Sequence, residues 1–120
     1  PQTFPYTRRN PSVAIVRHAV AIDERRAFFR QNLFARADDA QDLVQMWFAG
    51  VHADVGGGYP ERDGGLWRPP FEWMLDAARD AGLLVDDDRR RRVLGRTPLH
   101  GPDWAGTMHE SLRGAWRLAE

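Results

Sequence analysis

The sequence predicts an α/β chain of one or two parallel strands with packing helices. Three observations point that way. Residues 43–49 (LVQMWFA) are almost continuously apolar and short, which suits a strand buried on both faces, as in a parallel sheet. Stretches on either side carry apolar residues at helical spacing with helix start and stop signals. Composition is globular, with 42% hydrophobic and 11% aromatic residues in a chain of 120, enough for one small domain.

Taken in order, residues 1–10 hold two prolines and several polar side chains and read as an irregular lead-in. Asn10 followed by Pro11 is a capping residue and a first-turn proline. It predicts a helix over 11–27, with Val13, Val16, Ala19, Val20 and Ala27 near one face. A strand over 13–16 is the competing reading, because Val and Ile favour strands. Asp38, Asp39 and Asp42 mark a solvated loop before the strand at 43–49, which Gly50 ends. Residues 52–68 then form a long Gly-rich loop. Pro69 and Pro70 open a second helix with an apolar stripe of Phe71, Met74, Leu75 and Ala78, and Gly82 caps it. Asp86–Arg92 read as a solvated turn or helix surface, and 95–103 as a loop. Met108, Leu112 and Trp116 recur every four residues and predict a last helix over 105–118. No internal repeat or domain boundary is visible.

Charge narrows the function classes. Seventeen Arg balance seventeen acidic residues, so no net field draws the chain to nucleic acid or anionic membranes. The run Arg89–Arg92 is offset by Asp86, Asp87 and Asp88 and lacks interleaved aromatics, so no nucleic-acid partner is expected. With no Cys, disulfides, thiol nucleophiles and thiolate metal sites are excluded. No apolar run approaches the ~18 residues of a membrane span, and no signal peptide is visible. The first residue is Pro1, so a segment of a longer protein is expected.

The densest chemical signal is Trp47–Tyr59 (WFAGVHADVGGGY), where a buried strand runs into a histidine on a Gly-rich loop. In open α/β sheets, sites lie beyond the carboxyl ends of the strands. An imidazole side chain titrates near neutrality and suits proton transfer there. His52 is therefore the candidate base; the bland alternative is that it only bonds loop backbone. Asp54 would orient His52, bind substrate or cap the loop. His52 and Asp54 alone are too few ligands to specify a metal, and no metal or cofactor is expected. Gly56, Gly57 and Gly58 read as a tight turn beside the site, since no Lys-Ser/Thr follows them as in a phosphate-binding loop. Asp23–Arg26 (DERR) reads as structural bracing at the end of the first helix. His18 reads as a packing histidine. His109 and Ser111 are two apart, so on a helix they would not face each other; they do not read as a dyad, and His109 reads as structural.

The run GVHADVGGGY resembles the signature of a bacterial and fungal α/β-hydrolase family that includes type VI secretion phospholipase effectors. HAVAIDERR at 18–26 and HESL at 109–112 resemble the same family in the same order, so the likeness spans about residues 13–116. It implies a Ser-Asp-His triad on an α/β-hydrolase fold, in the chain order serine, acid, histidine. The signature histidine corresponds to His52, with Asp54, Gly56, Gly57, Gly58 and Tyr59 as supporting residues. Neither Ser12 (NPSVA) nor Ser111 (HESLR) sits in a Gly-x-Ser-x-Gly elbow. The resemblance thus implies that residues 1–120 are the C-terminal portion of one α/β-hydrolase domain, with serine and triad acid both expected before Pro1. The 120 residues alone would then be inactive. The implied substrate is an ester or lipid, with phospholipid implied by the effectors in the family, and the implied partner is the N-terminal remainder of the same domain. The implied setting is cytoplasmic or delivered by a secretion system. A strand parted from its sheet neighbours should leave exposed apolar surface. Two rival readings stand beside this one. The first is a non-catalytic partner-binding module presenting Trp47, Trp67, Trp73, Trp104 and Trp116; the second is an inactive truncated product.

Overall fold

A computed structural model describes residues 8–29, 31–63, 65–95 and 104–114. Two strands, β1 (Ile15–Ala21) and β2 (Asp42–Phe48), lie parallel and in register from Ile15 opposite Asp42 to Ala21 opposite Phe48. A single turn of helix, α1 (His52–Val55), follows β2; α2 (Arg68–Asp80) and α3 (Asp87–Leu94) complete the order. Helices pack on a parallel pair, an arrangement compatible with part of an α/β fold.

The predicted helix over 11–27 is overturned. Asn10 and Pro11 start only a tight turn, in which the Asn10 side chain accepts from the Ser12 N–H at 3.0 Å. The following IVRHAVA run is β1. Its period is two: His18 faces Gln45 (3.1 Å) and Phe34 on one side, while Ala19 and Ala21 line a cavity with α2 residues on the other. With β2 as a ladder partner, the β-branched residues gain more from pairing than from one apolar helical stripe. His18 is a packing histidine as expected, on a strand instead of a helix.

β1 and β2 are joined by residues 22–41, which contain a 3-10 turn at Ala27–Phe29. Two internal polar groups hold this crossover. Gln45 bonds both backbone groups of Phe34, and the buried Gln41 donates to the carbonyls of Asn10 and Val13. The 52–68 stretch is less irregular than expected, because α1 and a 3-10 turn at Glu61–Asp63 lie within it.

α2 begins one residue before Pro69, as its prolines predict, and Gly82 lies just past its C-cap. It packs Trp73 against Phe48 of β2, ring centroids 5.8 Å apart. The DDDRRRR stretch is helix α3: Asp86 caps it by accepting from the Arg89 N–H (2.9 Å), and Gly95 closes it in the left-handed conformation. Arg90 reaches Glu72 and Asp76 of α2, so part of the run's charge is used inside the fold.

The helix expected over 105–118 does not form across the described residues 104–113. The backbone N–H of His109, which a helix would need for its own ladder, donates instead to Asp54 at 3.1 Å. Residues 1–7 of the lead-in, 96–103 of the expected loop and 115–118 of the expected helix lie outside the described residues.

Among the described residues the buried apolar side chains are Val20, Ala21, Val51, Leu66 and Leu94. Full burial of a Val side chain stabilises by about 1.5–3 kcal/mol, so Val20 and Val51 are leading contributors. Ile15, Val44, Met46 and Trp47 of the sheet are exposed. Among the described residues no helix is long and apolar enough to cross a membrane.

Candidate functional site

The site forms where both strands end. β1 finishes at Ala21 and β2 at Phe48, and because the strands are parallel both carboxyl ends lie at one edge. The chain beyond β1 is stitched to the chain beyond β2. Ile22 N–H donates to the Phe48 carbonyl (3.0 Å), Asp23 N–H to the Gly50 carbonyl (3.1 Å), and Gly50 N–H to the Asp23 carboxylate (2.7 Å). Gly50 sits at φ 105°, a conformation that costs other residues strain, and a Cβ there would lie 2.6 Å from Asp54 Cβ.

His52 opens α1 directly after this turn. Its Nδ1 lies 2.5 Å from Oε2 of Glu24, the third residue past β1. Glu24 is almost wholly buried, its side chain 1% exposed. Burial alone would raise its carboxyl pKa. Side-chain hydrogen bonds from Arg26 and His52, the Arg26 backbone N–H and the Ser111 hydroxyl outweigh that and hold it well below the usual carboxylate range. An ionised carboxylate only accepts, so the proton of this contact rests on Nδ1. Arg26 Nη2, 3.0 Å from the same Nδ1, is therefore a neighbour, and its hydrogen bond goes to Glu24 Oε2 at 3.1 Å. In the neutral ring Nε2 carries the lone pair, and no hydrogen bond engages Nε2 among the described residues.

Phe29 stacks on the imidazole, centroids 4.5 Å apart and planes 9° from parallel, with the Arg26 guanidinium over Phe29. The His52 side chain is 44% exposed and lines an open cavity of about 340 Å³ with Ala19, Ala21, Trp67, Pro70, Phe71 and Met74. The walls are mainly apolar, the usual character of a small-molecule pocket. The ring is neither turned from the carboxyl edge nor sealed in a dry cluster.

The family model of the type VI secretion phospholipase effector Tle1-like catalytic domain matches residues 1–77. The chain belongs to this family. A phospholipase effector domain is thus its functional setting, in agreement with the resemblance of GVHADVGGGY and HAVAIDERR. No curated protein and no solved structure matches the chain.

The supporting residues divide in two. Gly56 and Gly57 line the cavity beside His52, with Gly57 at φ 75° where the chain reverses after α1. Gly58 closes that turn by donating to the Ala53 carbonyl at 2.7 Å. Asp54 and Tyr59 engage another group. Buried Asp54 accepts from the Val51 N–H (3.1 Å), completing one half of a capping box, and from His109 Nδ1 (2.6 Å). Tyr59 stacks on the His109 ring at 3.6 Å. Of the three roles open to Asp54, the structure thus exhibits capping.

Sequence reasoning did not bring Glu24 to His52. Within DERR it reads as bracing, and its pairing with Arg26 is that bracing. The contact with His52 did not follow from a helix over 11–27; at the end of a strand parallel to β2, the same residue meets His52. HAVAIDERR lying one strand before the histidine strand was the available signal. Among the described residues the tryptophans do not form one face. Trp67 lines the cavity, Trp73 packs on Phe48, Trp47 and Trp104 are exposed, and Trp116 lies outside the described residues.

Proposed function

We propose that this chain supplies the base and the acid of a serine-hydrolase triad, His52 and Glu24, and that the complete protein cleaves phospholipid esters. The observation that carries the reading is the 2.5 Å contact between His52 Nδ1 and a buried Glu24 carboxylate at the carboxyl ends of adjacent parallel strands. Residues 1–120 are read as the C-terminal portion of an α/β-hydrolase domain whose serine lies upstream.

In the proposed cycle Glu24 fixes the imidazole tautomer, so Nε2 accepts the serine proton as its Oγ attacks the ester carbonyl. The tetrahedral intermediate collapses, and the same proton passes from Nε2 to the leaving alcohol. A water, deprotonated by Nε2, then releases the acyl group as a carboxylic acid and restores the serine. Glu24 stays ionised throughout and balances the imidazolium. The apolar cavity walls suit an acyl chain. Family membership favours phospholipid esters, while the fold leaves the substrate open.

The test is made on the full-length protein with an active-site fluorophosphonate and a phospholipid assay. His52→Ala should reduce turnover on the order of 10⁴-fold. Unchanged turnover and labelling would remove His52 from the mechanism. The isolated 120 residues should not label.

A further inference from the structure

We infer that Ser111 is a positioning residue for the Glu24–His52 pair, held within reach by the anchoring of His109 on Asp54. The inference rests on the hydrolase reading above and concerns a segment that the proposed chemistry does not otherwise use.

The Glu24 carboxylate meets two kinds of donor. Arg26 donates its backbone N–H and Nε to Oε1, each at 3.0 Å, and Nη2 to Oε2 at 3.1 Å. Arg26 is two residues away on the same loop and moves with Glu24, so it satisfies the charge without locating it. The Ser111 hydroxyl donates to Oε1 at 2.8 Å from 87 residues away. Among the described residues it is, apart from His52 itself, the donor that ties this carboxylate to a distant part of the chain. With Oε1 held, Oε2 is left facing Nδ1.

Ser111 is in turn referenced to the other half of the pair. His109 joins Asp54 through both its backbone N–H (3.1 Å) and Nδ1 (2.6 Å). The same carboxylate accepts from Val51 N–H, the residue from which α1 and His52 start. Tyr59 stacked on His109 fixes that ring. On a helix His109 and Ser111 would be turned apart. On the irregular chain they reach the two carboxylates that govern where acid and base stand.

The experiment uses the full-length protein, p-nitrophenyl butyrate as a soluble ester, and fluorophosphonate titration to count folded sites. Ser111→Ala should lower kcat per titrated site about tenfold with KM unchanged, as expected for one charge-assisted hydrogen bond. Its acidic limb in kcat/KM should move to higher pH. Glu24, still facing Arg26 and His52 but one donor poorer, becomes more basic, and the pair keeps its proton longer. Ser111→Thr, which retains the hydroxyl, should recover both. If Ser111→Ala does not fold, Ser111→Cys, with its weaker donor, should give the same shift in smaller measure. Wild-type kcat and pH profile in Ser111→Ala, or a loss of kcat with no displaced limb, would overturn the inference. His52→Ala serves as the reference. If it is inactive while Ser111→Ala is normal, only the role of Ser111 falls; if it retains turnover, the hydrolase reading falls as well.

Discussion

Glu24 concentrates the electrostatics of the site in one side chain. Replacing it with Gln keeps the shape and removes the charge, so the amide can present its oxygen or its NH₂ to Nδ1 and the tautomer is no longer dictated. For Glu24→Gln in the full-length protein, kcat should fall about 10³–10⁴-fold with KM little changed, as measured by steady-state ester hydrolysis. The depressed pKa also makes a stability prediction. A carboxyl whose folded value lies below its ordinary 4.5 stabilises the fold above that pH, and the contribution is lost as pH falls through the folded value. Denaturation midpoints of the wild type should therefore decline below about pH 4.5, and Glu24→Gln should flatten that decline. At this scale the residue types were readable and the pairing was not. GVHADVGGGY singled out His52, but nothing local to DERR tells Glu24, with its side chain 1% exposed, from Arg25, at 66%.

Among elements, the turn between β2 and α1 has the least latitude. Gly50 combines φ 105° with the 2.6 Å approach of Asp54 Cβ, and both bonds between Asp23 and Gly50 depend on it. Gly50→Ala should cost about 2–4 kcal/mol in a urea titration and displace His52, with activity falling alongside. Gly82, at φ 100° with open space around its Cβ position, should cost less when changed to Ala, which separates strain from crowding. Elements bounded by local punctuation were legible: β2 from its short apolar run, α2 from its two prolines. Those decided by a distant partner were misread. IVRHAVA satisfies a helical stripe and a strand period at once, and its ladder with β2 decides between them. Residues 104–113 satisfy a helical stripe too, but Asp54 takes the His109 N–H.

For the molecule as a whole, the exposed sheet surface is the dominant physical fact. Val44 and Met46 lie on one face of β2 at 37% and 39% exposure, with Trp47 on the other at 48%. Apolar surface and unpaired strand edges of this kind favour association. The 120-residue chain by itself should bind a hydrophobic dye and self-associate in sedimentation, and the full-length protein should do so far less. Equal behaviour of the two would mean that these faces are ordinary solvent-exposed surface.

By itself the sequence determined the α/β class, the strand leading to His52, the proline-started helix and the family signature. Each of these is written in residues close together along the chain, where periodicity and turn chemistry act. The tertiary structure alone decided that the first segment is a strand, that Glu24 stands against His52, and that His109 and Ser111 close on Asp54 and Glu24. Those outcomes depend on hydrogen bonds and charge contacts between residues 27–87 positions apart, whose energies no local window contains.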